Sequence, residues 1–331
     1  MKLRTVMLIV LAAAMYIAVP LLFGSNPYLM SLIVASVTIG GIALAWALLG
    51  NLGGMVSFGQ AAFFGVGAYV SALLSLKLGL PVFPAMLLGG VGASLSSVVM
   101  LPALRLRGPY FALVILAYAQ IFRILVTEFD SITGGSGGLS RIPPLPHVLG
   151  FDFGSKVGGY LVILTLVVVF VWIYDRTRGS YYGLALRAMQ ESEDATRVVG
   201  VNSTLLKAMI LLLSAFMTGM IGAFNAHYIN FLAPDYAFDA GWTVVPIIAA
   251  IFGGYRTIFG PLVGAAAVYL IDQLIFKSLL PSGHQIVLGV LLVAMILWSP
   301  TGLVPLVADK FKRRKQPVTS STTQEVSHAE A

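Results

Sequence analysis

The residue types that carry covalent chemistry are scarce in this chain and badly placed for it. There is no cysteine, so thiolate metal sites, disulfides and cysteine nucleophiles are excluded. His147, His227, His284 and His328 are scattered, with no His-Glu-x-x-His pattern to hold a metal. No Gly-Lys dipeptide occurs, so there is no Walker A loop to cradle nucleotide phosphates. Carboxylates do not cluster in the apolar stretches, and hydrolytic or metal chemistry lacks its parts. Recognition groups remain. They are a polar stretch from Asp175 to Lys207, the amides Gln60, Gln120, Asn225 and Gln273, the ionisable Arg123 and Asp272, and a glycine loop from Thr133 to Leu139.

The elements that must position these groups follow from composition. Of 331 residues, 58% are hydrophobic and 10% charged, with a mean hydropathy of +0.93. A soluble domain carries about 25% charged residues, and this chain could not cover such a core with polar surface. Apolar runs of about 20 residues recur, which predicts an all-α, polytopic transmembrane helical bundle. Ten spans are expected, near 6–23, 29–49, 59–76, 82–102, 109–127, 158–174, 207–230, 242–254, 258–276 and 285–300. The eighth is short and meets Gly253-Gly254, so nine is the alternative count. The N-terminal run reads as a first span rather than a cleaved leader, because no A-x-A site follows it. Residues 1–308 form the expected transmembrane domain, and 309–331 a tail, basic at first and then rich in Ser, Thr and Glu, expected to be disordered.

Charge sets the expected orientation. The net charge is +7, but the basic residues flank spans rather than forming a nucleic-acid patch. With both termini cytoplasmic, fifteen of the twenty Lys and Arg residues fall on the inner side. Lys77, Arg141, Lys156 and Lys277 fall outside, and Arg123 lies within a span. Cytoplasmic loops carry such an excess, and the opposite orientation reverses it. Trp46, Trp172, Trp242 and Trp298 lie near span ends, as an interfacial belt requires. Gly53-Gly54 and Gly253-Gly254 echo each other, through an internal repeat or through chance in a glycine-rich chain.

Each polar group in the spans has two readings. Gln60, Gln120, Asn225 and Gln273 are interhelical hydrogen-bond partners or lining for a polar solute. Arg123 and Asp272 snorkel to the outer interface or line a translocation path. Gly134 and Gly135 belong to a tight outer turn or to an outer gate.

The polar stretch is the most structured signal. Ser192 can cap a short helix that begins at Glu193, and Gly200 can end it. Glu193 and Arg197 are four apart with the acid N-terminal, the favourable order. Ala188, Met189, Ala195, Val198 and Val199 offer a small apolar face, and Asn202 or Ser203 caps the next span. The segment is either an interfacial connector or a docking element for a cytoplasmic partner.

Residues 183–202, Gly-Leu-Ala-Leu-Arg-Ala-Met-Gln-Glu-Ser-Glu-Asp-Ala-Thr-Arg-Val-Val-Gly-Val-Asn, resemble the cytoplasmic loop of LivM-type permeases of branched-chain amino acid ABC transporters. Residues 51–69, 107–113, 133–139 and 252–261 resemble further segments of that family in order and spacing. The sequence departs from the pattern at Gln190, where a basic residue is common, at Thr196 for a small alanine, and at Gly137 for Asp or Asn. The resemblance implies a transport subunit rather than an enzyme, in the bacterial cytoplasmic (inner) membrane, with no cofactor of its own. It implies pairing with a second related permease, two ATP-binding cassette subunits that consume the ATP, and a periplasmic solute-binding protein. The coupling residues it implies are Arg187, Glu191, Glu193, Ala195, Arg197, Val199 and Gly200. The expected cargo is branched-chain or other hydrophobic amino acids; urea, short amides or aromatic acids are the alternative within the class, and a self-sufficient secondary carrier is the alternative outside it.

Overall fold

The computed structural model describes residues 3–306, apart from 107–108, 149, 281–282 and 299–300. The tail expected at 309–331 and the closing Pro300 lie outside the described residues.

The described chain is helical almost throughout, as a backbone without water to bond must be. The long helices are α1 (Leu3–Phe23), α2 (Pro27–Gly53), α3 (Gln60–Leu78), α4 (Val82–Ser96), α5 (Pro109–Glu128) and α6 (Lys156–Arg178). Two short ones follow, α7 (Tyr181–Glu191) and α8 (Glu193–Val198), and then α9 (Ser203–Ile229), α10 (Gly241–Gly253), α11 (Gly260–Ile271) and α12 (His284–Trp298). A 3-10 stretch carries α4 on to Arg105, and a π turn at Asp272–Phe276 prolongs α11. Eight helices, counting these extensions, are long and apolar enough to cross a membrane. Two shorter apolar helices, within α1 and α12, stand where the first and tenth spans are expected.

Several reversals among the described residues carry the local chemistry that ends or begins a helix. Asn26 accepts from the Tyr28 and Leu29 amides at the start of α2, where Pro27 suits the first turn. Gly54 ends α2 at φ +65° and Gly254 ends α10 at φ +102°. The Gly-Gly echo is thus an echo of helix ends, the second glycine of each pair adopting the left-handed cap.

The connections alternate between two faces. One, the connector face, carries residues 54–59, 179–202 and 254–259. The opposite face carries 129–155, 230–240 and the turn after Leu279. There Leu139 and Ser140 (β1) pair antiparallel with Phe231 and Leu232 (β4), while His147–Val148 (β2) and Phe151–Asp152 (β3) form a hairpin. His227 is buried beneath this loop. Its Nδ1 lies 2.8 Å from the Pro143 carbonyl and its Nε2 lies 2.9 Å from Ser71 Oγ. A carbonyl only accepts, so Nδ1 carries the proton and Nε2 accepts from the serine.

Packing centres on α2, 83% of whose apolar window is buried, against 22% for α5. α2 contacts α6, α9, α10 and α11, while α3, α4 and α9 form a second closely packed group. Small residues make that group possible. A Cβ at Gly67 would fall onto the Gly219 backbone, one at Gly222 onto the Phe64 carbonyl, and one at Gly89 within 2.6 Å of the Gly67 carbonyl. With lipid as solvent, such close approach is a main source of helix association.

The tryptophans divide by environment. Trp172 is exposed near the connector end of α6. Trp46 is buried, and its Nε1 donates to the Ser57 carbonyl at 2.9 Å. The expected belt role fails for Trp46 because the 54–59 loop folds back over it. Trp242 is half-buried and stacks on Phe64 with centroids 4.1 Å apart.

Candidate functional site

The connector between α6 and α9 folds as two capped helices. Ser180 Oγ accepts from the Gly183 amide at 3.2 Å, and Ser192 Oγ accepts from the Ala195 amide at the same distance. Asn202 Oδ1 then accepts from the Leu205 amide at 3.0 Å to start α9. Gly183 is required by space, because a Cβ there would meet the Thr177 and Arg178 carbonyls. Gly200 ends the segment at φ +86°.

Glu193 organises the segment electrostatically. It accepts from Arg197 Nη2 at 2.8 Å and from Lys207 Nζ at 2.8 Å. Arg197 Nε also donates to Ser203 Oγ at 2.8 Å. Desolvation alone would raise the pKa of the Glu193 carboxyl. The hydrogen bonds from Lys207 and Ser203 and the charges of Lys207 and Arg197 outweigh it and hold that pKa below the ordinary 4.5. A lowered folded-state pKa contributes stability above 4.5 that is lost as pH falls through the folded value. The grip of α8 on α9 is therefore expected to stay constant from neutral pH down to about 4.5 and then loosen. Amide exchange at residues 193–198, followed against pH and corrected for intrinsic rates, reads this. Loosening on the alkaline side instead would refute it.

The rest of the connector is anchored to the bundle. Gln190 Nε2 donates to the carbonyls of Gly50 at 3.3 Å and Asn51 at 3.0 Å, which lie in the last turn of α2. Asn51 Nδ2 in turn reaches Tyr174 Oη at 2.7 Å and the Arg256 carbonyl at 3.2 Å. Arg187 folds back onto the Arg178 carbonyl at 2.7 Å. Glu191 and Ala195 are exposed.

The single apolar face expected here splits in two. Met189 is buried against the bundle, whereas Val198 and Val199 are 87% and 76% exposed and Ala188 and Ala195 face outward. The helix break at Ser192 re-aims α8, so its apolar residues no longer continue the face of α7. Thr196, where the family pattern commonly has alanine, is buried, and its hydroxyl bonds the Ser192 carbonyl at 2.8 Å. Beside the anchored side lies a cleft of about 850 Å3. Gly54, Met55, Leu113, Leu116, Gln190 and Lys207 are among the residues that line it.

The polar residues of the spans separate cleanly. Gln60 is fully buried, donating to Ser214 Oγ at 3.3 Å and accepting from Thr218 Oγ1 at 2.7 Å. Asn225 is buried and accepts from Tyr236 Oη at 2.9 Å. These two are engaged by hydrogen bonds between segments. Gln273 faces Lys277 at 3.5 Å. Asp272 is buried in the π turn at the end of α11. Arg123 donates through Nη1 to Asp235 at 2.9 Å, tying α5 to the segment after β4. Gln120 is exposed.

Gly134, Gly135 and Gly138 all sit at positive φ, and a Cβ on Gly138 would meet the Leu232 carbonyl. The glycine loop is therefore a tight turn packed on β4. Gly137 borders open space, so the family's larger Asp or Asn would fit there.

The family model described as branched-chain amino acid transport system / permease component matches residues 28–296. The chain belongs to this permease family. The match covers α2 through most of α12, the whole connector included, and leaves α1 outside. The permease LivM of a high-affinity branched-chain amino acid transport system from Salmonella typhimurium is 30% identical over 309 residues, covering 84% of this chain and 72% of the relative. LivM of Escherichia coli K12 is 29% identical, covering 79% and 66%. The high-affinity branched-chain amino acid transport system permease protein LivH of Escherichia coli K12 is 23% identical, covering 80% and 90%. No solved structure matches. The helices of this family member fit a multi-pass membrane permease.

Sequence reasoning found Glu193, Arg197 and the caps because their partners are local. It missed Lys207 as a partner of Glu193 and the Asn51–Gln190 anchor, which join residues far apart in sequence. The one available signal was Asn51 at a helix end just before Gly53-Gly54.

Proposed function

We propose that this chain is one of two permease subunits of an ABC importer of the inner membrane, carrying branched-chain or other hydrophobic amino acids. The observation that carries the reading is the connector: an exposed helix, α8, on a segment bonded to the end of the most buried helix, α2. Such a segment can take a push from outside and pass it to the core. In this reading the connector face is cytoplasmic, in keeping with its excess of basic residues. Two ATP-binding subunits dock there, contacting Ala195, Val199 and Gly200, with Arg187, Glu191, Glu193 and Arg197 shaping or rimming the surface. A periplasmic binding protein delivers solute at the opposite face, near the loop of Gly134 and Gly135. The named relatives are branched-chain amino acid permeases, and two of them, LivM and LivH, come from one organism's system, which supports a paired permease.

The reading has a direct test. The chain purified alone and reconstituted in liposomes should neither hydrolyse ATP nor move leucine, because it has no nucleotide loop. Adding the second permease, the ATPases and the binding protein should produce ATP-dependent leucine uptake. Leucine flux driven by an ion gradient in the chain alone would favour a secondary carrier.

A further inference from the structure

Gln120 presents an amide near the middle of a long apolar helix, with no hydrogen-bond partner among the described residues. It is the twelfth of the twenty residues of α5. The exposed residues Leu113, Leu116, Gln120 and Ile124 recur at helical spacing and form one stripe. An amide left without a hydrogen bond in an apolar medium costs about 2 kcal/mol or more, so a stripe that carries one suits water or protein better than hydrocarbon. α4 shows the contrast: its exposed Leu87, Val91 and Leu95 are apolar throughout, as a lipid-facing stripe must be.

The stripe is continuous with two other features. At the connector end, Leu113 and Leu116 line the 850 Å3 cleft. At the other end, one turn beyond Gln120, stands the Arg123–Asp235 pair, with the two side chains 43% and 88% exposed. A track therefore runs the length of α5, from an apolar cleft past an amide to an exposed cation and anion.

We propose that this stripe is the wall that the chain contributes to a water-filled solute path, closed on its other side by the second permease subunit. The solute it suits is a zwitterion with an apolar side chain. The guanidinium and carboxylate at the outer end complement its two charges, the Gln120 amide can donate to one and accept from the other, and the leucines pack on its side chain. This rests on the importer reading above and adds the location and chemistry of the path.

Because the chain has no cysteine, a single introduced thiol can be followed without background. Q120C, I124C on the same stripe and V91C on α4 are each expressed with the complete transporter and probed in membrane vesicles. The probe is a charged, membrane-impermeant methanethiosulfonate, with labelling read by mass. Q120C and I124C should react roughly tenfold faster than V91C or more, since it is the hydrated thiolate that attacks the reagent's sulfur and releases methanesulfinate, and leucine together with the binding protein should slow the reaction. Labelling of both as slow as that of V91C would overturn the wall, and fast labelling that leucine leaves unchanged would overturn the solute class. I124C keeps the test open if Q120C does not assemble. Leucine uptake by the wild-type chain in the same vesicles reports on the importer reading separately, because its loss would not change which thiols are wet.

Discussion

Replacing Ala195 or Val199 with aspartate is expected to abolish ATP-driven uptake while leaving the amount of chain in the membrane unchanged. Both residues point away from the bundle, with Val199 76% exposed and Ala195 on the outward side of α8. Neither side chain enters the hydrogen bonds that hold the connector, which run through Ser192, Glu193, Arg197 and Gln190; Ala195 gives only its backbone amide to Ser192, and aspartate keeps that donor. Folding therefore has no reason to change. In the docked transporter the same side chains would lie beneath an ATPase subunit, and a new carboxylate would be trapped without a partner. An unpaired charge at an interface costs about 2 kcal/mol or more, equivalent to roughly a thirtyfold loss of affinity. Coupled uptake should fall at least in that proportion. The check is labelled leucine uptake together with immunodetection of the membrane-inserted chain. Wild-type uptake by both variants would remove the docking role of α8.

The second large effect is on assembly of the chain itself. Gly67→Leu should prevent the α3–α4–α9 group from closing. What a side chain at 67 would meet is the Gly219 backbone rather than the end of a flexible side chain, and backbone cannot step aside. Overpacked sites typically cost 1–3 kcal/mol, and three helices meet here, so about 3 kcal/mol is expected. The variant should accumulate poorly and lose its cooperative thermal transition in detergent. Gly289→Leu is the matched control, for a Cβ at Gly289 meets nothing within 4 Å. Equal yields and equal transitions for the two variants would show that the close approach at Gly67 is not required.

These cases show which parts of the molecule a single sequence displays. Spans and caps are legible because their causes are local: an apolar run long enough to cross, a serine three residues before the amide it accepts from, a glycine at a left-handed turn. Gln60 and Gln120 mark the boundary. Both are glutamines in apolar helices, one sealed between helices by Ser214 and Thr218, the other facing out. A helix that is apolar on all sides gives no sign of which face it buries, so the two look alike until the neighbours are placed. Trp46 failed as a belt residue for the same reason, since its partner Ser57 sits in a loop whose return over the helix is a tertiary event. The Glu193–Lys207 pair and the Leu139–Leu232 register likewise depend on how separate segments meet.

The anchor at the end of α2 has a consequence for how such a chain can change over generations. The last carbonyls of a helix have no partner within it, and Gln190 binds two of these, those of Gly50 and Asn51. Every amino acid supplies a carbonyl, so no exchange of side chain at position 50 or 51 deletes the acceptor. Mutational drift along the terminal turn of α2 leaves that half of the joint in place. The donor has no such protection, and the heritable identity of the link rests on one codon, that of residue 190.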